Sequence, residues 1–280
     1  MKQRIVTGLV LLAIFIPIII LSYPYPFVFV VAASLMSTIA VHEMLTCTGQ
    51  VKKLVLTIPA MLYAAAGPLL AISPIATSYG VLLSITLVFL FYLLFIHVFA
   101  VGKINTRDIS VVFTTSVYIT VSFTCIVLLR NAQVLGDYVY MFIFIGAWVT
   151  DIFAYFGGRF FGRHKLCPKV SPKKTVEGAI SGILFCALFF VLYSMIIARL
   201  ENIVPNYAII ALIGAFISVI SQFGDLTASA IKRDYDVKDY GKIFPGHGGV
   251  LDRFDSILAV APFLYMLMEN PDFITVFQML

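Results

Sequence analysis

Residues 206–255 read NYAIIALIGAFISVISQFGDLTASAIKRDYDVKDYGKIFPGHGGVLDRFD. Two chemistries meet in this stretch. From Asn206 to Ile231 it is an apolar run long enough to cross a bilayer, which takes about 20 residues in a helix. From Ser229 to Asp255 it carries five Lys or Arg, five Asp, one His and four Gly. Charged groups beside a bilayer are costly unless paired, bound to metal or lining a wet cavity. The fold is therefore read as membrane-spanning helix followed by a polar loop with a chemical task, and phosphate chemistry is the natural candidate.

The same alternation runs through the whole chain. Its 280 residues are 61% hydrophobic and 12% charged, with a mean hydropathy of +1.02, which places it among polytopic membrane proteins. Apolar stretches of about 17 to 25 residues exclude the short alternating segments of a β-barrel. The expected fold class is all-α, an integral membrane protein with about nine transmembrane helices. They fall near Arg4–Ser22, Pro26–Leu45, Leu54–Ile72, Tyr79–Ala100, Val111–Leu129, Tyr138–Phe156, Val176–Ala198, Asn206–Ile231 and Leu251–Met268. The first run is too long for a signal peptide, and SYPYP after it lacks a cleavage pattern. Cys47, Cys125, Cys167 and Cys186 show no paired spacing, so no disulfide framework or zinc site is expected.

Lys and Arg alternate with these spans. Seventeen of the nineteen lie in the loops of one side: Lys2 and Arg4, Lys52 and Lys53, Lys103 and Arg107, six from Arg159 to Lys174, and five from Lys232 to Arg253. Only Arg130 and Arg199 lie on the other. Positive loops stay cytoplasmic, so the N-terminus is expected in the cytoplasm and the C-terminus outside. Residues 1–280 are expected to be one membrane domain, with 1–130 as scaffold and lipid-facing spans and 131–280 as catalytic spans with two cytoplasmic loops. The isoelectric point of about 9.0 reflects short juxtamembrane loops, so anionic lipids and nucleotides are expected partners and nucleic acid is not.

Asp225, Ser229 and Lys232 are spaced i, i+4, i+7 and share one face of span eight. Asp225 lies about two turns, roughly 10 Å, inside its cytoplasmic end. A carboxylate at that depth is protonated, paired or ligated, and an ion pair with a neighbouring helix is the alternative to metal binding. Asp252 and Asp255 share a face at the start of span nine, with Arg253 between them. Carboxylates facing one another across a wet cleft suit magnesium, although helix N-terminal capping serves Asp252 and Asp255 equally well. Between these groups, His247, Gly248 and Gly249 allow backbone to approach a phosphate closely. Lys232, Arg233 and Lys238 either bind phosphate or follow from topology alone, and their interleaving with residues such as Asp239 implies that some are ion-paired. Neither GxxxxGK[ST] nor GxGxxG occurs. A second polar group surrounds span six: Asp151 within it, and SPKKTVEG at the start of span seven, where Ser171 and Thr175 are expected helix caps and Lys173 and Lys174 are expected to bind phosphate oxygens. His42, Glu43 and His97 are read as structural.

The long motif resembles the signature of the phosphatidate cytidylyltransferases, or CDP-diacylglycerol synthases. Ser229, Lys232, Arg233, Lys238, Asp239, Gly241, Pro245, His247, Gly248, Gly249, Asp252, Arg253 and Asp255 occupy it without departure. WVTDIFAYFGGRFFGR, SPKKTVEG and the FGD ending at Asp225 resemble family segments too. The resemblance implies a reaction of CTP with phosphatidate giving CDP-diacylglycerol and pyrophosphate. It also implies magnesium, with room for a second cation, held by Asp225 and Asp252 with Asp255 as a third ligand. Lys232, Arg233, Lys238, Asp239 and His247 would join Asp225 and Asp252 in catalysis. Ser171, Lys173, Lys174, Thr175, Ser229, Gly248, Gly249, Arg253 and Asp151 would bind substrate. Expected partners are CTP, phosphatidate, membrane lipids and a second copy of the chain, at a cell inner membrane with the site facing the cytoplasm. Competing readings are a CTP-dependent polyprenol or dolichol kinase, a cytidylyltransferase for another lipid phosphate, and a transporter. The clustering of polar residues at one membrane face disfavours the transporter.

Overall fold

The computed structural model describes residues 13, 15–72, 78–132, 135–269 and 276–279. Its helices are α1 (Pro26–Cys47), α2 (Leu54–Leu70), α3 (Ser78–Phe99), α4 (Thr106–Arg130), α5 (Gly136–Val139), α6 (Met141–Phe161), α7 (Val176–Glu201), α8 (Tyr207–Asp234) and α9 (Leu251–Met268). Residues 15–22 are also helical. Two small antiparallel sheets accompany them, β1 (Lys165–Cys167) with β2 (Ser171–Thr175), and β3 (Ile203–Pro205) with β4 (Phe277–Met279). The chain is mostly helical, as expected, and the β1–β2 hairpin and the β3–β4 pair are short additions to that helical framework.

Six helical stretches among the described residues are long and apolar enough to cross a membrane: Pro26–Cys47, Gly80–Phe99, Thr106–Arg130, Gly136–Phe161, Val176–Glu201 and Tyr207–Asp234. Leu54–Leu70 is shorter, and α9 carries Asp252, Arg253 and Asp255 in its first turns. Most of the expected first span lies outside the described residues. Span five starts earlier than its hydropathy suggests because Asn105 and Asp108 form a reciprocal capping box that nucleates α4 at Thr106. All four cysteines are free.

By packing, the chain divides into two compact units: Met1–Asn131 with Asp234–Phe254, and Ala132–Arg233 with Asp255–Leu280. In the first, Ser34 donates to the Ala65 carbonyl at 2.8 Å, fastening α1 to α2. A side chain at Gly67 would strike Thr120 and Thr124 of α4, so glycine sets the closeness of that contact. α3 turns Phe91, Phe95, Val98 and Phe99 outward, as a lipid-facing helix does. Polar contacts collect at the helix ends. Arg130 donates to the Ser22 carbonyl at 3.3 Å and stacks over Tyr23, which joins the C-terminal end of α4 to that of the helical residues 15–22. At the opposite end of α4, Lys53 pairs with Asp108 at 2.6 Å and Gln50 donates to the same carboxylate at 3.0 Å.

The second unit is centred on α6 and α7. Side chains at Gly178 or Gly182 would strike the α6 backbone, so these two glycines, four residues apart, permit the close helix contact. Phe153 stacks on Phe185 with centroids 3.9 Å apart. One end of this unit holds the Tyr138 hydroxyl donating to Glu201 at 2.7 Å and the Asn206 amide donating to Val276 at 2.8 Å. The β1–β2 hairpin and the last turns of α8 belong to the other.

Candidate active site

Each unit carries a cavity lined in part by charged side chains. In the second unit it measures about 330 Å³ and brings together Asp151, Lys173, Lys174, Thr175 and Asp225 from the sequence motifs. These residues come from α6, the hairpin and α8. Thr175 ends β2 and caps α7, its hydroxyl accepting the Gly178 amide at 3.2 Å. Ser171, expected as a cap, instead lies in β2 paired with Cys167, because the chain doubles back as a hairpin before α7 starts. Lys174 reaches Asp225 at 2.6 Å, with both side chains about a quarter exposed, and the Ser229 hydroxyl donates to the other Asp225 oxygen at 3.3 Å. The helical spacing read for Asp225 and Ser229 is thus a real contact, and the partly exposed Asp225 carboxylate is ion-paired. Asp225, Lys232 and Asp151 also act electrostatically on Asp255.

Seven lining residues were not singled out in sequence, and four of them bear on the site. Tyr155 and Arg159 follow Asp151 by one and two turns of α6, a spacing legible in principle. Gln222, one turn before Asp225, donates to the Ala179 carbonyl at 3.2 Å and ties α8 to α7. Leu166 enters from β1, which no apolar periodicity signals.

The first unit holds the loop 234–254, with an open cavity of about 570 Å³ lined by Lys238, Asp239, Lys242, His247, Gly248 and Arg253 among others. Asp252 is buried and organises this loop. Its Oδ2 accepts backbone amides of Tyr240 at 2.8 Å, Gly249 at 3.0 Å and Gly241 at 3.4 Å. Gly248 has φ +82° and faces the Asp252 carboxylate, so its lack of a side chain is required twice over. Glu43, read as structural, accepts the Val250 amide at 3.1 Å and the Leu251 amide at 2.8 Å. Carboxylates of the protein thereby engage the Gly249 amide and the amides at the start of α9.

Among the described residues no three His, Cys, Asp or Glu side chains converge as a preformed metal set. Magnesium does not require one, because it takes one or two carboxylates and fills its shell with water and substrate phosphates. Asp225 and Asp255, whose charges act on each other, are oxygen donors of the kind magnesium takes.

Several apolar helices long enough to cross a bilayer, with charged cavities between polar segments, are the features of a membrane protein. The chain belongs to the cytidylyltransferase family, whose model matches residues 2–270. It is therefore a nucleotidyltransferase. Among its relatives, the phosphatidate cytidylyltransferase of Bacillus subtilis is 36% identical over 276 residues, covering 96% of this chain and 97% of the relative. Those of Staphylococcus haemolyticus and Staphylococcus aureus are 32% identical, each covering 96% of this chain and 99% of the relative.

Proposed function

We propose that this protein transfers the cytidylyl group of CTP to phosphatidate, giving CDP-diacylglycerol and pyrophosphate. The observation that carries this reading is the cavity in which Lys173, Lys174, Thr175, Asp151 and Asp225 meet, joined to near full-length similarity to phosphatidate cytidylyltransferases. An ionised phosphate oxygen of the lipid attacks the α-phosphorus of CTP, the bond to the β-phosphate breaks, and pyrophosphate departs with the electron pair. No general base is needed, since the attacking oxygen already lacks its proton near neutral pH. The protein's task is to bring two polyanions together and to neutralise the leaving group. Lys173, Lys174, Lys232, Arg233, Lys238 and Arg253 supply the charge for this, with Asp239, His247, Gly248, Ser229 and Ser171 orienting phosphates and one another. Asp225, Asp252 and Asp255 are the proposed magnesium ligands, with allowance for a second cation. When bound, magnesium screens the charge on the triphosphate and makes its α-phosphorus more electrophilic.

Nine spans are proposed, with the N-terminus cytoplasmic and the C-terminus outside, the whole forming one membrane domain in a cell inner membrane with its active site facing the cytoplasm. Contacts at the helix ends support the alternation within each unit: Lys53 with Asp108 and Glu43 with Leu251 join segments placed inside, while Arg130 with Ser22 and Tyr138 with Glu201 join segments placed outside. A homodimer amid membrane lipids is the proposed assembly. The test is purified protein given phosphatidate, magnesium and CTP labelled at the α- or the γ-phosphate. Alpha label should enter lipid and γ label should leave as pyrophosphate; γ label in lipid with release of CDP would establish a kinase instead.

A further inference from the structure

Positive charge is unevenly committed around the 330 Å³ cavity. Lys174 is matched to Asp225 at 2.6 Å. Arg159 and Lys173 line the same cavity and have no ion-pair partner among the described residues. With Asp151 the only other lining carboxylate, the rim carries a surplus positive charge. Arg159 donates to the Tyr155 hydroxyl, one turn back on α6, at 3.3 Å. That bond draws its guanidinium along the helix that forms the cavity wall.

Going back from Arg159, residues Tyr155, Ile152 and Trp148 follow at spacings of four, three and four, a single helical face. They are 60%, 51% and 53% exposed. On a membrane span such exposure of Ile152 and Trp148 is to hydrocarbon, while Tyr155 also lines the cavity. A cationic rim thus sits at the head of a mainly apolar stripe on one helix, flanked by the exposed Asp151, which matches an amphiphile with a phosphate head and acyl tails. CTP has no part that uses the stripe.

We propose that this face of α6 is the docking track of the lipid substrate. Arg159 and Lys173 hold its phosphate monoester, and Tyr155, Ile152 and Trp148 carry the acyl chains. The assignment rests on the reading that phosphatidate is a substrate, and divides the binding residues between lipid and nucleotide.

The test is steady-state kinetics of purified protein in mixed micelles, varying phosphatidate at saturating CTP and the reverse. Arg159→Gln and Lys173→Gln should each raise the KM for phosphatidate about tenfold, the scale of one charge-assisted contact, with the KM for CTP within about twofold. Arg199→Gln, at the far end of α7, serves as the control and should match wild type. Trp148→Ala with Ile152→Ala should weaken turnover of long-chain phosphatidate and leave dihexanoyl phosphatidate unaffected, a comparison that holds even if an Arg159 variant folds poorly. A rise in the KM for CTP instead, or equal losses for long and short chains, would overturn the assignment. Wild-type protein that consumes CTP but never phosphatidate would remove the underlying reading and this proposal with it.

Discussion

Glu43 and Leu251 are 208 positions apart in sequence, yet the Glu43 carboxylate accepts the Leu251 amide at 2.8 Å and the Val250 amide at 3.1 Å. A helix-embedded acid thereby fixes where the glycine-rich loop ends and α9 begins. Replacing it by alanine leaves two buried donors unpaired, at about 1–3 kcal/mol each. Glu43→Ala should lower the thermal midpoint in detergent and reduce turnover, while Glu43→Gln, which keeps one acceptor oxygen, should lose less. Equal stability of Glu43→Ala and wild type would show that the contact does not hold the loop.

Two glycines make room for that acid. A side chain on Gly241 or Gly249 would collide with the Glu43 carboxylate. Gly249→Ala should therefore cost at least as much activity as Glu43→Ala, and combining the two should cost less than the sum, since the clash disappears with the acid. Strict additivity would contradict the coupling.

How much of this was legible follows from how local each feature is. Asp225, Ser229 and Lys232 share a helix, so their common face followed from spacing alone, and the Ser229–Asp225 contact is where that spacing put it. Asp225 meeting Lys174 joins α8 to a hairpin 51 residues upstream, and no periodicity encodes such a partner. Glu43 is the extreme case: an isolated acid in an apolar run has nothing nearby to explain it. The β1–β2 hairpin was hidden because Lys165–Thr175 lacks apolar alternation and reads as a helix approach. The capping box of Asn105 and Asp108 was visible in the residues, but hydropathy hid it by placing the span start at Val111.

The topology has its own check. A cysteine introduced as Lys238→Cys should resist membrane-impermeant maleimide in intact cells and label after permeabilisation, whereas Asn206→Cys should label in intact cells. Ready labelling of the first in intact cells would reverse the proposed sidedness.

Metal dependence is the expected outcome of the proposed carboxylate ligands. Chelation of divalent ions should abolish turnover and magnesium should restore it, since two polyanionic substrates otherwise repel each other and Asp225, Asp255 and Asp151 add to the negative field. Undiminished turnover in excess chelator would remove magnesium from the reaction.

Cytidylyl transfer is proposed to take place where Asp225 meets Lys174. Its most direct measurement is pyrophosphate release by purified Asp225→Asn beside wild type, with CTP, phosphatidate and magnesium, after both proteins are shown to insert and elute alike in detergent. The expected result is a loss of at least about 10²-fold, on the scale of removing one group that stabilises developing charge. Turnover near wild type in a correctly folded Asp225→Asn protein would contradict it.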